Sequence, residues 1–200
     1  MKKVLITGFD PFGGQTVNPS WEAVRLLPDE IDDCRLFKLQ LPTVFGKAAA
    51  KILEEAAAQK PDAILSIGQA GGRKGITPEV VAINLREATI PDNEGKQPVN
   101  VPVVEGGPAA YFSTLPVREM VKAMEAEGIP SSLSYSAGAF VCNDVLYTVL
   151  NHLEGTSIRA GFIHVPFLPQ QAGDKLPSLP LEDIVRGLTA GIRVLSSPCQ

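Results

Sequence analysis

The sequence predicts an α/β fold, a single catalytic domain over residues 1–200 built as a three-layer sandwich, with a central, largely parallel twisted sheet flanked by helices. Two observations predict it. Short apolar runs stopped by Gly or Pro alternate along the chain with longer segments whose apolar residues recur at helical spacing. The 200 residues are 44% hydrophobic, enough for one substantial core, and no change of composition marks a second.

Lys3 to Thr7 reads as a buried strand stopped by Gly8. The loop that follows, Phe9 to Val17, holds the pair Gly13-Gly14 but neither GxGxxG nor GxxxxGK[ST], so a nucleotide-phosphate loop is rejected. Its Phe9 and Phe12 are either core anchors or walls of a small apolar pocket. Asn18-Pro19 starts a helix as N-cap and first helical residue, Trp21, Val24 and Leu27 give it an apolar face, and Pro28 marks its end. Arg35 to Leu41 alternates with a period of two, a strand near an edge with one face toward water. Thr43 is expected to cap a helix that carries Val44, Phe45, Ala48, Ile52, Leu53 and Ala56 on one stripe and runs to about Gln59.

Ala63 to Ile67 is the next buried strand, and Gly68 ends it. It delivers the polar loop Gln69 to Gly75, and loops at the carboxyl ends of such strands are where open α/β sheets hold ligands. Val80 to Ile83 has strand composition. Arg86 to Gly107 is rich in Pro and Gly, with a turn at Pro91 to Gly95; it is expected to form a hairpin or a functional flap, with partial disorder as the competing reading. Pro116 opens a helix bearing Val117, Met120, Val121 and Met124, and Gly128 sits where a left-handed cap belongs. Ser132 to Ser136 is expected to be the strand that feeds Cys142, followed by a helix with Val145, Leu146, Val149, Leu150 and Leu153. Ile158 to Val165 is a further strand, and Leu181, Ile184, Val185, Leu188, Ile192 and Leu195 trace the last helix.

Composition excludes several functions. A net charge of −4 with Lys and Arg dispersed along the chain and no basic block leaves no footprint for nucleic acid. Three cysteines, Cys34, Cys142 and Cys199, are an odd number without CxxC spacing, which argues against a disulfide framework and a zinc site, so no metal or cofactor is expected. The first apolar run is too short for a secretion signal, and no run reaches the ~20 residues of a membrane helix. A cytoplasmic, reducing location is the expectation, with no membrane partner.

Chemistry centres on Cys142. Placed in or just before a helical first turn, it meets unpaired N–H groups and the positive end of the macrodipole, which are expected to lower the thiol pKa and favour the thiolate. The alternative is a buried structural cysteine. A nucleophilic cysteine needs a base, and the chain has two histidines. His152 is on the same helix, ~15 Å away at ~1.5 Å per residue, and cannot reach the thiol. His164, at the end of a different strand, can. For the group that orients the imidazole, the pattern does not choose among Glu79, Glu87 and Asp92, while Asp144 should point elsewhere. Backbone N–H groups at the start of the Cys142 helix are ready donors to an oxyanion.

Four stretches together, Gly8 to Gly14, Ile76 to Asn84, Ser134 to Asn143 and Gly161 to Pro166, resemble the pyroglutamyl peptidase I (pyrrolidone-carboxylate peptidase) family, and the similarity runs through nearly the whole chain. The resemblance implies a cytosolic cysteine peptidase that removes an N-terminal pyroglutamyl residue, usually as a homo-oligomer, dimer or tetramer. It places nucleophile, base and orienting acid on Cys142, His164 and Glu79, and sets Phe9, Phe12, Thr43, Ile90, Phe140 and Val141 around the pyrrolidone ring, with Gln69 nearby. The competing readings are a phosphorylase-like enzyme on a related α/β sandwich and a non-catalytic module that binds a small ligand in the Phe9 and Phe12 pocket.

Overall fold

The computed structural model describes residues 1–173 and 175–196; Cys199 lies outside them. Strand β1 (Lys2–Phe9) leads to helix α1 (Pro19–Leu26), whose start is fixed as expected: Asn18 Oδ1 accepts from the Ser20 N–H at 3.1 Å. A short β2 (Glu30–Ile31) precedes β3 (Cys34–Leu41), α2 (Lys47–Gln59) and β4 (Ala63–Gln69). Then come β5 (Thr77–Pro78), β6 (Val81–Ile83), β7 (Ala110–Phe112) and α3 (Val117–Ala126). The chain continues through α4 (Val141–His152), β8 (Arg159–Val165), α5 (Pro169–Ala172) and α6 (Leu181–Ser196).

The main sheet has the order β2-β3-β1-β4-β8-β5. Its four central strands are parallel, and the short β2 and β5 close the two edges antiparallel. Alternation along each strand splits the core in two. Val4, Ile6, Leu65, Ile67, Ile163 and Val165 face α1, α3 and α6. Leu5, Phe9, Ile64, Ala160 and Phe162 face α2 and α4. By the same alternation Gly68 and His164 are on the α4 side, which decides where chemistry can occur. The three-layer, largely parallel expectation holds, and β3 sits one strand in from the edge.

Two local expectations do not hold. Thr43 caps no helix: α2 begins only after Gly46, whose φ of 76° interrupts the run, and the N-cap makes no side-chain hydrogen bond. Distant carboxylates serve instead, Asp92 Oδ2 accepting from the Phe45 N–H at 3.0 Å and Asp144 Oδ2 from the Gly46 N–H at 2.8 Å. Ser132 to Ser136 is no strand either. Isolated parallel bridges stand there instead, Ile76 with Ser131 just before the segment and Glu79 with Ser134 inside it, and the mostly hydroxyl-bearing, partly exposed residues have little apolar surface to bury in a sheet. The Pro- and Gly-rich segment is ordered as a flap, closed at its base by the Arg86 and Val101 bridge and turned at its tip where Asp92 Oδ1 accepts from the N–H groups of Glu94 and Lys96. Gly128 takes the left-handed conformation expected of it, with φ of 75°. Among the described residues no helix is long and apolar enough to cross a membrane.

Candidate active site

Three segments converge at the carboxyl end of the central strands. His164 is the penultimate residue of β8, in register with Gly68 of β4 on one side and Thr77 of β5 on the other. Because β5 runs antiparallel to β8, Glu79 emerges beside the imidazole, with its N–H held by Phe162 O at 2.9 Å. The side chains meet: His164 Nδ1 lies 2.7 Å from Glu79 Oε1, and the residues are 3% and 0% exposed. Cys142, second residue of α4, comes down on the same face. A Cβ built on Gly68 would stand 3.0 Å from Cys142 Sγ and 2.6 Å from the Phe162 ring, so only glycine lets the sulfur approach the strand pair that carries His164. His152 is at the far end of α4 and exposed.

The carboxylate left open by pattern is now decided by geometry. Asp92 is committed to backbone N–H groups in the flap, and Glu87 Oε2 accepts from the Asn100 N–H at 2.6 Å. Only Glu79 reaches His164. A residue that the sequence reading passed over joins it: Arg73 Nη1 donates to Glu79 Oε1 at 2.8 Å. The signal available for it was the adjacent pair Arg73 and Lys74 in the polar loop after β4, and nothing in one sequence marks which of the two will meet a carboxylate, or which carboxylate.

Burial pushes the Glu79 carboxyl up, but the bond to His164, the nearby Ser134 hydroxyl and the Arg73 charge outweigh it and hold the group below its ordinary value of 4.5. Burial also drives His164 below 6.5; Glu79 opposes this and Arg73 adds to it. The imidazole is therefore neutral at pH 7. With Nδ1–H donating to an ionised carboxylate, Nε2 carries the free lone pair. Cys142 departs from expectation. Its residue is half-buried, but the protein around the sulfur pushes the thiol up to about 12, with the Glu79 charge adding to the effect and Arg73 only partly offsetting it. Desolvation outweighs the helix N-terminus, so the resting form is the thiol.

The residues named for a ring pocket fall into groups. Phe12 stands 6.0 Å from Phe140, which meets Phe45 edge to face at 5.2 Å, and the side chain of the half-exposed Ile90 reaches toward Gly13. These make one apolar wall above α4. Phe9 is 2% exposed and lies against Phe162, beneath that wall. The Val141 side chain is wholly in the core, which leaves only its backbone for a ligand. Thr43 is spent on structure, donating from its N–H to Asp10 Oδ1 at 2.7 Å and from Oγ1 to Asp10 O at 3.2 Å. Gln69 is turned toward α5, where Gln171 Nε2 donates to its Oε1 at 3.0 Å.

With this arrangement in place, comparison with known proteins is decisive. The family model described as pyroglutamyl peptidase matches residues 2–197. The chain belongs to the pyroglutamyl peptidase family. It is 53% identical over 195 residues to the pyrrolidone-carboxylate peptidase of Clostridium botulinum, covering 96% of this chain and 92% of that one. Identity to the pyrrolidone-carboxylate peptidase of Staphylococcus carnosus is 50% over 203 residues, covering 99% and 95%. Among solved structures, pyroglutamyl peptidase I from Bacillus amyloliquefaciens superposes with a TM-score of 0.93 at 50% identity, over 97% of this chain and 96% of that one. The pyrrolidone carboxyl peptidase from Thermococcus litoralis gives 0.92 at 37% identity, over 97% and 93%. The cysteine-peptidase class expected from the motifs stands, and a phosphorylase or a non-catalytic module finds no support in this pyroglutamyl peptidase family member.

Proposed function

We propose that the chain hydrolyses the bond after an N-terminal pyroglutamyl residue of peptides through Cys142, His164 and Glu79. The observation that carries this reading is the 2.7 Å contact between His164 Nδ1 and the fully buried Glu79, which leaves Nε2 free on the face where α4 places the thiol. Cys142 Sγ attacks the pyroglutamyl carbonyl carbon as its proton passes to His164 Nε2; a resting thiol beside a neutral base needs no preformed thiolate. The oxyanion is received by N–H groups of the α4 first turn, which has no side-chain N-cap. His164 returns the proton to the departing amine and leaves a thioester on Cys142. Water, deprotonated by the same nitrogen, then releases pyroglutamate and restores the thiol. Glu79 fixes the tautomer and offsets the charge of the transient imidazolium.

Pyroglutamate carries no α-amine, so its site requires no acidic anchor. It calls for a flat apolar slot with partners for one lactam N–H and one C=O. The wall of Phe12, Phe140 and Ile90 supports the slot. A site that hydrogen-bonds the lactam rejects proline by a factor on the order of 10⁴, since buried partners would otherwise be left unpaired. The deciding experiment follows hydrolysis of a pyroglutamyl anilide by wild type and Cys142→Ser, with and without iodoacetamide. Loss of activity in the variant and on alkylation is expected; a fully active Cys142→Ser protein would remove Cys142 from the mechanism.

A further inference from the structure

Arg73 lies outside the three residues that perform the proposed chemistry, yet it touches the surroundings of each. Its guanidinium donates to the Thr77 hydroxyl, to Glu79 Oε1 at 2.8 Å, and through Nη2 to Ser136 O at 3.1 Å. Thr77 is the register partner of His164, and its hydroxyl lies 3.4 Å from His164 O. Ser136 belongs to the turn that leads into α4 and Cys142. A single planar fork therefore ties the loop after β4, the edge strand bearing Glu79 and the turn before the nucleophile. Glu79 is 0% exposed, and an unpaired buried carboxylate is costly. While His164 is neutral, Arg73 is the only cation in an ion pair with Glu79 among the described residues.

We propose that Arg73 is a positioning residue: it holds the Glu79 carboxylate against His164 and locks both in one frame with the turn before Cys142. This rests on the reading of the reaction given above. The geometry has a second consequence. Burial keeps the His164 base neutral at rest; Glu79 favours its protonation and the Arg73 charge opposes it, so Arg73 moderates the pull of the carboxylate it holds in place.

The test uses the full chain carrying Arg73→Gln or Arg73→Lys. Because His152 is the only other histidine, NMR titration of the two imidazoles reads His164 directly with His152 as internal reference. Removing the cation in Arg73→Gln takes away a charge that opposes protonation of His164, so the His164 pKa is expected to rise. On a pyroglutamyl anilide, kcat is expected to fall about tenfold or more with KM unchanged, because orientation is lost and binding is not. The acid limb of the rate profile should move to higher pH by the same shift. Arg73→Lys keeps the charge without the fork, so its His164 titration should stay near wild type while kcat recovers in part. An unmoved His164 titration in Arg73→Gln overturns the proposal, whether kcat is retained or falls together with the melting temperature. If wild type fails to cleave the anilide but the His164 shift is seen, the reaction reading fails and the assignment of Arg73 to the Glu79–His164 pair stands.

Discussion

Among the described residues two buried carboxylates on the α4 side of the sheet, Glu79 and Asp144, are each paired with an arginine, and they differ in what remains unsatisfied. Asp144 is saturated: Arg86 Nε donates to Oδ1 at 2.7 Å and Nη2 lies 2.6 Å from the same oxygen, while Oδ2 accepts from the Gly46 N–H at 2.8 Å. Glu79 concentrates its partners on Oε1, shared by His164 and Arg73. Its Oε2 has no well-formed hydrogen bond among the described residues, and the neighbouring Ser134 hydroxyl is directed to Ser136 O at 3.2 Å. A saturated pair joins the base of the flap, the start of α2 and the first turn of α4 into one scaffold. An under-coordinated carboxylate in contact with an imidazole retains capacity to respond when that imidazole gains charge.

The largest effect should separate the two in function. Glu79→Gln is expected to lower kcat by on the order of 10³- to 10⁴-fold with the fold retained. The amide either turns its NH₂ toward Nδ1 and imposes the wrong tautomer, or keeps oxygen there without the charge that steadies the imidazolium. Steady-state kinetics beside a urea melt reads both quantities. A variant that unfolds yet keeps wild-type kcat per folded molecule would place Glu79 in the same structural class as Asp144.

Asp144→Asn should show the reverse. Breaking a buried pair costs about 3 kcal/mol, taken at the low end because the Arg86 side chain stays 23% exposed and keeps part of its solvation. Urea denaturation should show that loss, while kcat per folded molecule and the acid limb of the rate profile remain as in wild type.

Acid titration sharpens the contrast further. The folded values of His164 and Glu79 both lie below their ordinary values of 6.5 and 4.5. Their contribution to stability is thus fully present above those ordinary values and is lost as pH falls through the folded ones. Activity should be flat through neutrality and fall only below pH 6.5, as His164 gains its proton. Glu79→Gln should abolish the lower step of the stability loss and Asp144→Asn should not. On the alkaline side, the rate of iodoacetamide labelling at Cys142 should keep rising past the ordinary thiol value of 9.0, because the thiol titrates near 12. A labelling plateau near neutrality would mean a preformed thiolate.

Local signals make the frame legible in the sequence: Asn18 as cap, Gly128 as left-handed stop, and apolar periods of two and 3.6 that sort strands from helices. Cys142 and His164 could be brought together because both follow from element order, one at a helix start and one at a strand end, with His152 removed by length alone. Glu79 could be reached only through resemblance. Its contact with His164 spans 85 residues and depends on a two-residue edge strand that no periodicity marks. The start of α2 escapes the sequence for a related reason, since the N–H groups of Phe45 and Gly46 just before it are held by Asp92 and Asp144 and not by Thr43. The protonation of Cys142 depends on how deeply the sulfur is surrounded, and residue spacing does not report that depth.

The smallest effect tests whether Glu79 Oε2 is truly the open oxygen. Ser134→Ala removes the nearest hydroxyl, one that already spends its proton on Ser136 O. If so, the loss is a neutral contact of about 1 kcal/mol in stability and roughly two- to five-fold in kcat. Glu79→Gln in the Ser134→Ala background should then be nearly additive with the single change, because a hydroxyl directed to Ser136 O makes no hydrogen bond to the Glu79 carboxylate. A fall of more than about a hundredfold for Ser134→Ala alone exceeds what a neutral hydrogen bond supplies. That result would mean the hydroxyl turns to Oε2 in the working enzyme, leaving Glu79 as saturated as Asp144, so that its function would come from what it touches and not from an open oxygen.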